Sequence, residues 1–307
     1  MATHMVKLTF LAPVHFGDGR LSDSEYTCDA ATLFSALFIE ALKVGCADEL
    51  LAAAKSGDFS ISDAFPYIGE RLYIPKPMTS VAERSVRVAE TGDSRARKAN
   101  KALKFIPADK LADFLDGSFD FVNELERFNN GVSFLRTKVN LTRETSDDAE
   151  PYHVGGYRFA PACGMYFLAS GTYDARPLLG QLSYAGLGGK RSSGYGRFTF
   201  EICEDFPLRL TDGLGIGKRA MLLSSALPRQ DELTDALLEG AKYHLVRKGG
   251  FVQSANHAPT PRKKRSMWLF APGSVFERRF EGDVFDVNAT PAAHPVYRYA
   301  RAMWMEV

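Results

Sequence analysis

The chain has 307 residues, of which 45% are apolar and 24% charged, and its formal charge is only +1. That length exceeds the comfortable size of one core and points to two domains, with enough apolar residues for packed interiors rather than disorder. No run of about 18 apolar residues offers a membrane-spanning helix, no basic-then-apolar leader is visible, and near-zero charge removes global basicity as a basis for binding nucleic acid; a cytoplasmic protein that binds through local patches is expected.

Residues 6–11 alternate apolar and polar side chains, which predicts a strand with one buried face. Residues 1–5 precede it and are left out of the fold expectation. Pro13 and Gly17-Asp18-Gly19 turn the chain, and from Asp29 the residues Leu33, Phe34, Leu37, Phe38 and Leu42 fall at helical spacing, with Asp29 as N-cap and Gly45 as stop. A further helix over 48–55 and a short extended piece at 59–63 follow. The prolines of Phe65-Pro66-Tyr67 and Pro75-Lys76-Pro77 predict a loop or edge strand. Residues 79–99 carry almost no large apolar side chains and read as an exposed insertion, before order returns at 103–106 and in a helix over 108–115. Alternation over 134–143, an acidic turn-rich stretch and Gly156 to Ala160 predict a long hairpin with a basic side. A strand at 164–169, a helix at 175–182 and a strand at 198–203 flank a glycine-rich loop. Strands at 221–224, 243–245, 267–270 and 297–305, with a helix near 230–236, complete the chain. The rhythm favours α+β over a doubly wound sheet.

The loop holds Gly186, Gly188, Gly189, Gly194 and Gly196 with Lys190, Arg191, Ser192, Ser193 and Arg197. Glycines let backbone N–H groups approach an anion, and cations and hydroxyls beside them complete a phosphate surface. A Walker loop fails because Tyr184 and Arg191 stand where a glycine and a Ser or Thr are needed. A dinucleotide fingerprint fails because Arg191 follows Gly186 and Gly188 at the third glycine position. The octamer from Ser193 to Phe200 matches an RNA-recognition strand at Gly194, Tyr195, Gly196 and Phe200, but not at Ser193 and Arg197. A plain surface turn with solvated cations is the alternative. Other basic patches lie at 84–104, at Arg247-Lys248 and at 262–265. Cys28, Cys46, Cys163 and Cys203 show no paired spacing and no neighbouring histidines, so free thiols, with no metal or cofactor, are expected.

The loop from Gly186 to Phe198 resembles the G-loop of CRISPR RAMP proteins. Asp29 to Leu37, Phe65-Pro66-Tyr67, Pro75-Lys76-Pro77 and Thr137 to Arg143 resemble segments of the fourth subunit of the type III-A Csm complex, a Cas-five-like family. Gly249-Gly-Phe-Val, Gly273-Ser-Val-Phe, Gly282-Asp-Val-Phe-Asp-Val and His294-Pro-Val-Tyr-Arg-Tyr stand in that family's order, with Ala300 where a glycine often follows. The resemblance implies two ferredoxin-like (RRM-like) RAMP domains, over 6–160 and 161–307, with a thumb-like β-hairpin at 134–159. It also implies a subunit that holds the 5′ tag of crRNA, meets target RNA near the tag–guide boundary, and contacts the large polymerase-like subunit and the backbone RAMP subunit.

Bound single strands are gripped through phosphates and by stacking on aromatics. Candidate RNA-binding residues are therefore His15, Arg20, Lys76, Thr137, Lys138, Arg143, Gly186, Gly188, Gly189, Lys190, Arg191, Ser192, Ser193, Gly194, Tyr195, Arg197, Arg247 and Lys248. Tyr195 either stacks on a base or belongs to the core of the next strand. Among the six histidines, His15 is the best placed for a general base of the kind that RAMP relatives use to process crRNA. The resemblance is to a non-catalytic subunit, so a metal-independent endoribonuclease is the competing reading.

Overall fold

The computed structural model describes residues 3–17, 19–79, 94–139, 151–208, 219–252, 262–289 and 294–307. Its first half is built on one antiparallel sheet with the order β5-β4-β3-β8-β1-β9, where β1 is Thr3–Phe10, β3 Phe65–Ile68, β4 Arg71–Pro75, β5 Phe105–Pro107, β8 Cys163–Gly171 and β9 Phe198–Cys203; β2 (Phe59–Ile61) pairs with the far end of β8. Helix α1 (Ala30–Val44) follows β1, α2 (Ala47–Ser56) precedes β2, and between β4 and β6 lie α3 (Ser94–Ala102), α4 (Leu111–Asp116) and α5 (Phe121–Arg127). β6 (Gly131–Val139) and β7 (Pro151–Phe159) form a hairpin outside the sheet, and α6 (Arg176–Ala185) joins β8 to the glycine loop. Mixed α+β architecture with antiparallel sheets is thus observed.

Local chemistry accounts for the best-defined elements. Asp29 caps α1 by accepting from the Thr32 N–H at 2.6 Å, and Gly45 closes it in the left-handed region at φ 80°, where a side chain would strain the backbone. β8 is buried over seven consecutive residues, because both faces of the sheet are covered. On one face α1 and α6 bury Leu33, Phe34, Leu37, Leu178 and Leu182 against Val6, Leu8, Met165 and Phe167. On the other, Met5, Tyr166 and Leu168 pack with Leu223, Val275, Met303 and Met305. That second layer comes from a small sheet ordered β13-β10-β16, with β10 at Ala220–Leu222, β13 at Val275–Phe276 and β16 at Trp304–Glu306. β11 (Leu245–Lys248) and β12 (Met267–Phe270) form one further pair, β14 (Gly282–Asp286) and β15 (Tyr297–Arg301) another. α7 (Asp235–Leu238) is a single turn. The β14–β15 ribbon covers the outer side of α1, with ring centroids 5.3 Å apart for Phe34 and Tyr299 and 5.6 Å for Phe38 and Tyr297.

Several expectations are corrected. Thr3, His4 and Met5 belong to β1, paired with Ser170, Ala169 and Leu168. β3 is an inner strand despite Pro66, which is tolerated because β4 pairs only with Tyr67 and Ile68. A helix over Ser94–Ala102 takes up the end of the stretch 79–99 read as an insertion; 80–93 lie outside the described residues. The single strand read over 297–305 is two, β15 and β16, in different sheets. The boundary placed at 160/161 falls inside the main sheet, since β8 and β9 both pair with β1. The glycine loop therefore belongs structurally to the first half.

Candidate nucleic-acid interface

The glycine loop is seated on the segment just after β1. Gly186 ends α6 at φ 85°, and the buried Leu187 donates its N–H to Gly196 O at 2.9 Å while Gly196 N–H donates to Pro13 O at 2.8 Å. Gly189 N–H donates to His15 O at 2.8 Å. A Cβ on Gly188 would lie 2.8 Å from His15 O, and one on Gly189 would lie 2.7 Å from His15 Cδ2. These glycines are required by the approach of the loop to its own chain. Backbone N–H groups of Gly189 and Gly196, expected to reach a phosphate, are already spent inside the protein. Lys190 takes φ 58°, a short 3-10 turn runs over Arg191–Ser193, and Gly194 closes it at φ 81°. That turn presents Ser192, Ser193 and Gly194 to solvent, with Arg197 beyond.

Three segments far apart in sequence meet here. Lys138 on β6 donates from Nζ to Ser193 Oγ at 3.0 Å, Lys190 Nζ stands 5.7 Å over the Tyr152 ring of β7, and Phe134 lies 6.4 Å from Tyr195. His15 donates from Nδ1 to Gly155 O at 2.8 Å, so this residue holds the middle of the hairpin through its ring and the loop through its carbonyl. Gly155 N–H donates to Leu21 O at 2.9 Å, which carries the exposed Arg20 to the same junction. Thr137 pairs with His153 across the hairpin at 3.1 Å. Lys138 and Lys190 thus flank an exposed hydroxyl-bearing turn, with the exposed Arg20 and Arg197 on the neighbouring chain segments, a surface that neutralises and hydrogen-bonds phosphates.

Other candidates are placed elsewhere or otherwise engaged. Tyr195 is 3% exposed and faces Phe134, so in this arrangement it packs in the core and has no free face for a base. Arg191 lies 4.0 Å from the buried Glu40 of α1, which also binds Lys43 at 2.7 Å; its guanidinium anchors the loop to the helix. Glu40 was not foreseen, although an acid on an otherwise apolar helix was the signal. Lys76 sits by α3, bonded to the Asn100 carbonyl and to Asn100 Oδ1 and 6.0 Å from the Phe121 ring, and burial pushes its ammonium below the ordinary range. Arg247 and Lys248 lie near the other end of α1, where Lys248 Nζ is 2.9 Å from Asp29 Oδ2. Arg143 lies outside the described residues. His15 is 7% exposed, with one nitrogen committed and Gly189 against its ring. No group of three or more metal-ligating side chains occurs among the described residues, and no helix there is long and apolar enough to cross a membrane.

The last third, residues 216–307, matches the family described as the CRISPR Csm4 C-terminal domain. Over 294 residues, 95% of this chain and 93% of the relative, it is 38% identical to the CRISPR system Cms protein Csm4 of Mycobacterium tuberculosis (strain CDC 1551 / Oshkosh). The chain belongs to the Csm4 family. Csm4 of Streptococcus thermophilus is 34% identical over 99% of both chains. The Csm4 fold agrees as well. A chain in the crystal structure of the Csm3–Csm4 subcomplex of the type III-A interference complex superposes with a TM-score of 0.64 over 99% of both chains at 18% identity. One in the Csm1–Csm4 cassette with AMPPNP gives 0.58 over 99% of this chain and 98% of that one at 21% identity.

Proposed function

We propose that this Csm4-family chain is a non-catalytic RNA-binding subunit of a cytoplasmic type III-A Csm effector complex. The glycine-loop turn and the hairpin strands beside it hold the 5′ tag of crRNA, and the hairpin acts as a thumb that meets target RNA at the tag–guide boundary. The chain bridges the large polymerase-like subunit and the backbone RAMP subunit, as the solved assemblies of Csm4 with Csm1 and with Csm3 suggest. Its first half runs β1-α1-β3-β8-α6-β9 with sheet order β9-β1-β8-β3, which supports a ferredoxin-like RAMP domain; the second such domain belongs to the same reading. The observation that carries the proposal is the meeting of Lys138, Lys190 and Ser193 at one turn.

Two tests follow directly. The double variant Lys190→Ala/Arg197→Ala should bind tag RNA more weakly and lower the slope of log affinity against log salt by about 1.4, at ~0.7 per phosphate contact to a single strand. Titrations followed by fluorescence anisotropy check this, and an unchanged slope refutes the contact. The competing endoribonuclease reading requires a base open to substrate, whereas the His15 ring is covered and hydrogen-bonded to the hairpin. Purified protein without metal should leave repeat RNA intact. Specific cutting that disappears in His15→Ala would overturn the non-catalytic assignment.

A further inference from the structure

A second cationic site lies at the seam between the first turn of α1 and the β11–β12 ribbon. Lys248 ends β11 with its ammonium 2.9 Å from Asp29 Oδ2. Lys264 donates its backbone N–H to Gly250 O at 2.9 Å; burial and the neighbouring Arg298 hold its ammonium below the usual range, and no acceptor for that ammonium occurs among the described residues. Arg298 on β15 is 6% exposed. Its Nη2 donates to Gly249 O at 2.9 Å, but its buried Nε–H has no acceptor among the described residues.

The acids nearby do not balance these charges. Asp29 already serves Lys248 and the Thr32 N–H, and Asp63 is spent on the Ala30 and Ser225 N–H groups and the Ser225 hydroxyl. Arg298 is buried with one donor unspent and Lys264 is half-buried beside it; withdrawing such charges from water without a partner is costly, and an anion completes the donor set. The rim has the other half of a single-strand site. Gly249 and Gly250 are exposed, and a Cβ on Gly250 would meet nothing within 4 Å among the described residues. Phe251 is 59% exposed with Lys263 Nζ 5.9 Å over its ring, and Arg247 and Arg262 are exposed beside it. Phosphate-binding donors inside and an open aromatic outside are the two components of sequence-tolerant single-strand binding.

We infer that Lys248, Lys264 and Arg298 form a second phosphate site for the RNA backbone, with Phe251 as a stacking face for the adjoining base. This rests on the RNA-binding reading above and extends it along α1. From Asp29, beside the second site, to Glu40, which anchors the glycine loop, the helix rises about 16 Å, which sets the separation of the two sites along α1.

Fluorescence anisotropy of the full chain with a short labelled single-stranded RNA, repeated over a salt series, tests the site. Lys264→Met should weaken binding roughly five-fold at low salt and reduce the salt slope by about 0.7. Without RNA it should melt at the same or a higher temperature, because it removes a charge that has no partner. Arg298→Lys, which retains the charge but loses the Nε donor, should also weaken binding. The effect of Lys264→Met should multiply with that of Lys190→Ala. If both seam variants bind like the parent while Lys190→Ala is weakened, the second site is refuted and the glycine-loop reading stands. Should Lys190→Ala also bind like the parent, the RNA reading itself fails. If inorganic phosphate stabilises the parent but not Lys264→Met while RNA affinity is unmoved, the site takes free phosphate and the RNA assignment is overturned.

Discussion

Gly196→Ala should lower stability by about 2–4 kcal/mol and reduce RNA affinity more than ten-fold, whereas Gly194→Ala, two residues earlier, should cost only about 1 kcal/mol. Both glycines sit near φ 80°, so conformational strain is common to the two. They differ in what a Cβ would meet. At Gly194 there is nothing within 4 Å, while at Gly196 the new atom would run into the backbone of Leu187. The clash cannot be relieved by a side-chain rotation, because Leu187 and Gly196 are hydrogen-bonded to each other and Gly196 to Pro13. The loop must lift from the segment 13–16, taking Lys190 and Ser193 away from Tyr152 and Lys138. Chemical denaturation of the two variants, read beside their RNA affinities, distinguishes this from a general intolerance of alanine. Equal losses at both positions would contradict it.

Asp63→Ala should cost about 2–6 kcal/mol, since it strands two buried backbone donors at ~1–3 kcal/mol each, and Asp63→Asn should cost far less. Asp63 joins the two halves of the molecule: its Oδ1 accepts from Ala30 N–H at 2.9 Å and from Ser225 N–H at 2.8 Å, and its Oδ2 accepts from the Ser225 hydroxyl at 2.8 Å. Asparagine keeps the Oδ1 acceptor, and the Ser225 hydroxyl can accept from the new amide. Burial, and then the neighbouring Asp29 carboxylate, push the Asp63 pKa from 3.8 up to about 6. Because the folded value is raised, the protonated form favours folding. Its stabilising contribution is complete below about pH 4 and is lost as pH rises through about 6, a change on the order of 1–3 kcal/mol. Asp29 acts in the opposite sense. Burial opposes its charge, but Lys248 and the Thr32 hydrogen bonds lower its pKa, so its contribution is present above the ordinary carboxyl range and lost on acidification. Asp63→Asn should therefore gain stability relative to the parent between pH 4 and 7. Denaturant midpoints over that range that stay parallel for the two proteins would contradict the assignment.

Much of the backbone was legible without coordinates. Asp29 and Gly45 bracket α1 because a carboxylate that caps and a glycine that turns left are local chemistry. The alternation over β6 and β7 gave the hairpin, and 198–203 and 267–270 were read to the residue. Pattern also locates the glycine loop, and segments along the chain resemble the Csm family. The reading failed where a neighbour remote in sequence decides. Pro66 implied an edge, and only the short pairing of β4 explains its place inside the sheet.

Sequence alone determined most element types and the cationic glycine turn, because these depend on residue type and short-range spacing, and its resemblance to known chains pointed to the family. Tertiary structure decided which of the candidates share a surface. It joined Lys138 to Ser193, tied Arg191 to Glu40, buried Tyr195 against Phe134, directed Lys76 to Asn100, and gathered Lys248, Lys264 and Arg298 around Asp29. Each of these depends on strand register and on which faces are covered, and register is set by long-range burial. It left the glycine N–H groups holding the loop to its own chain, and the cations and hydroxyls of the turn facing outward.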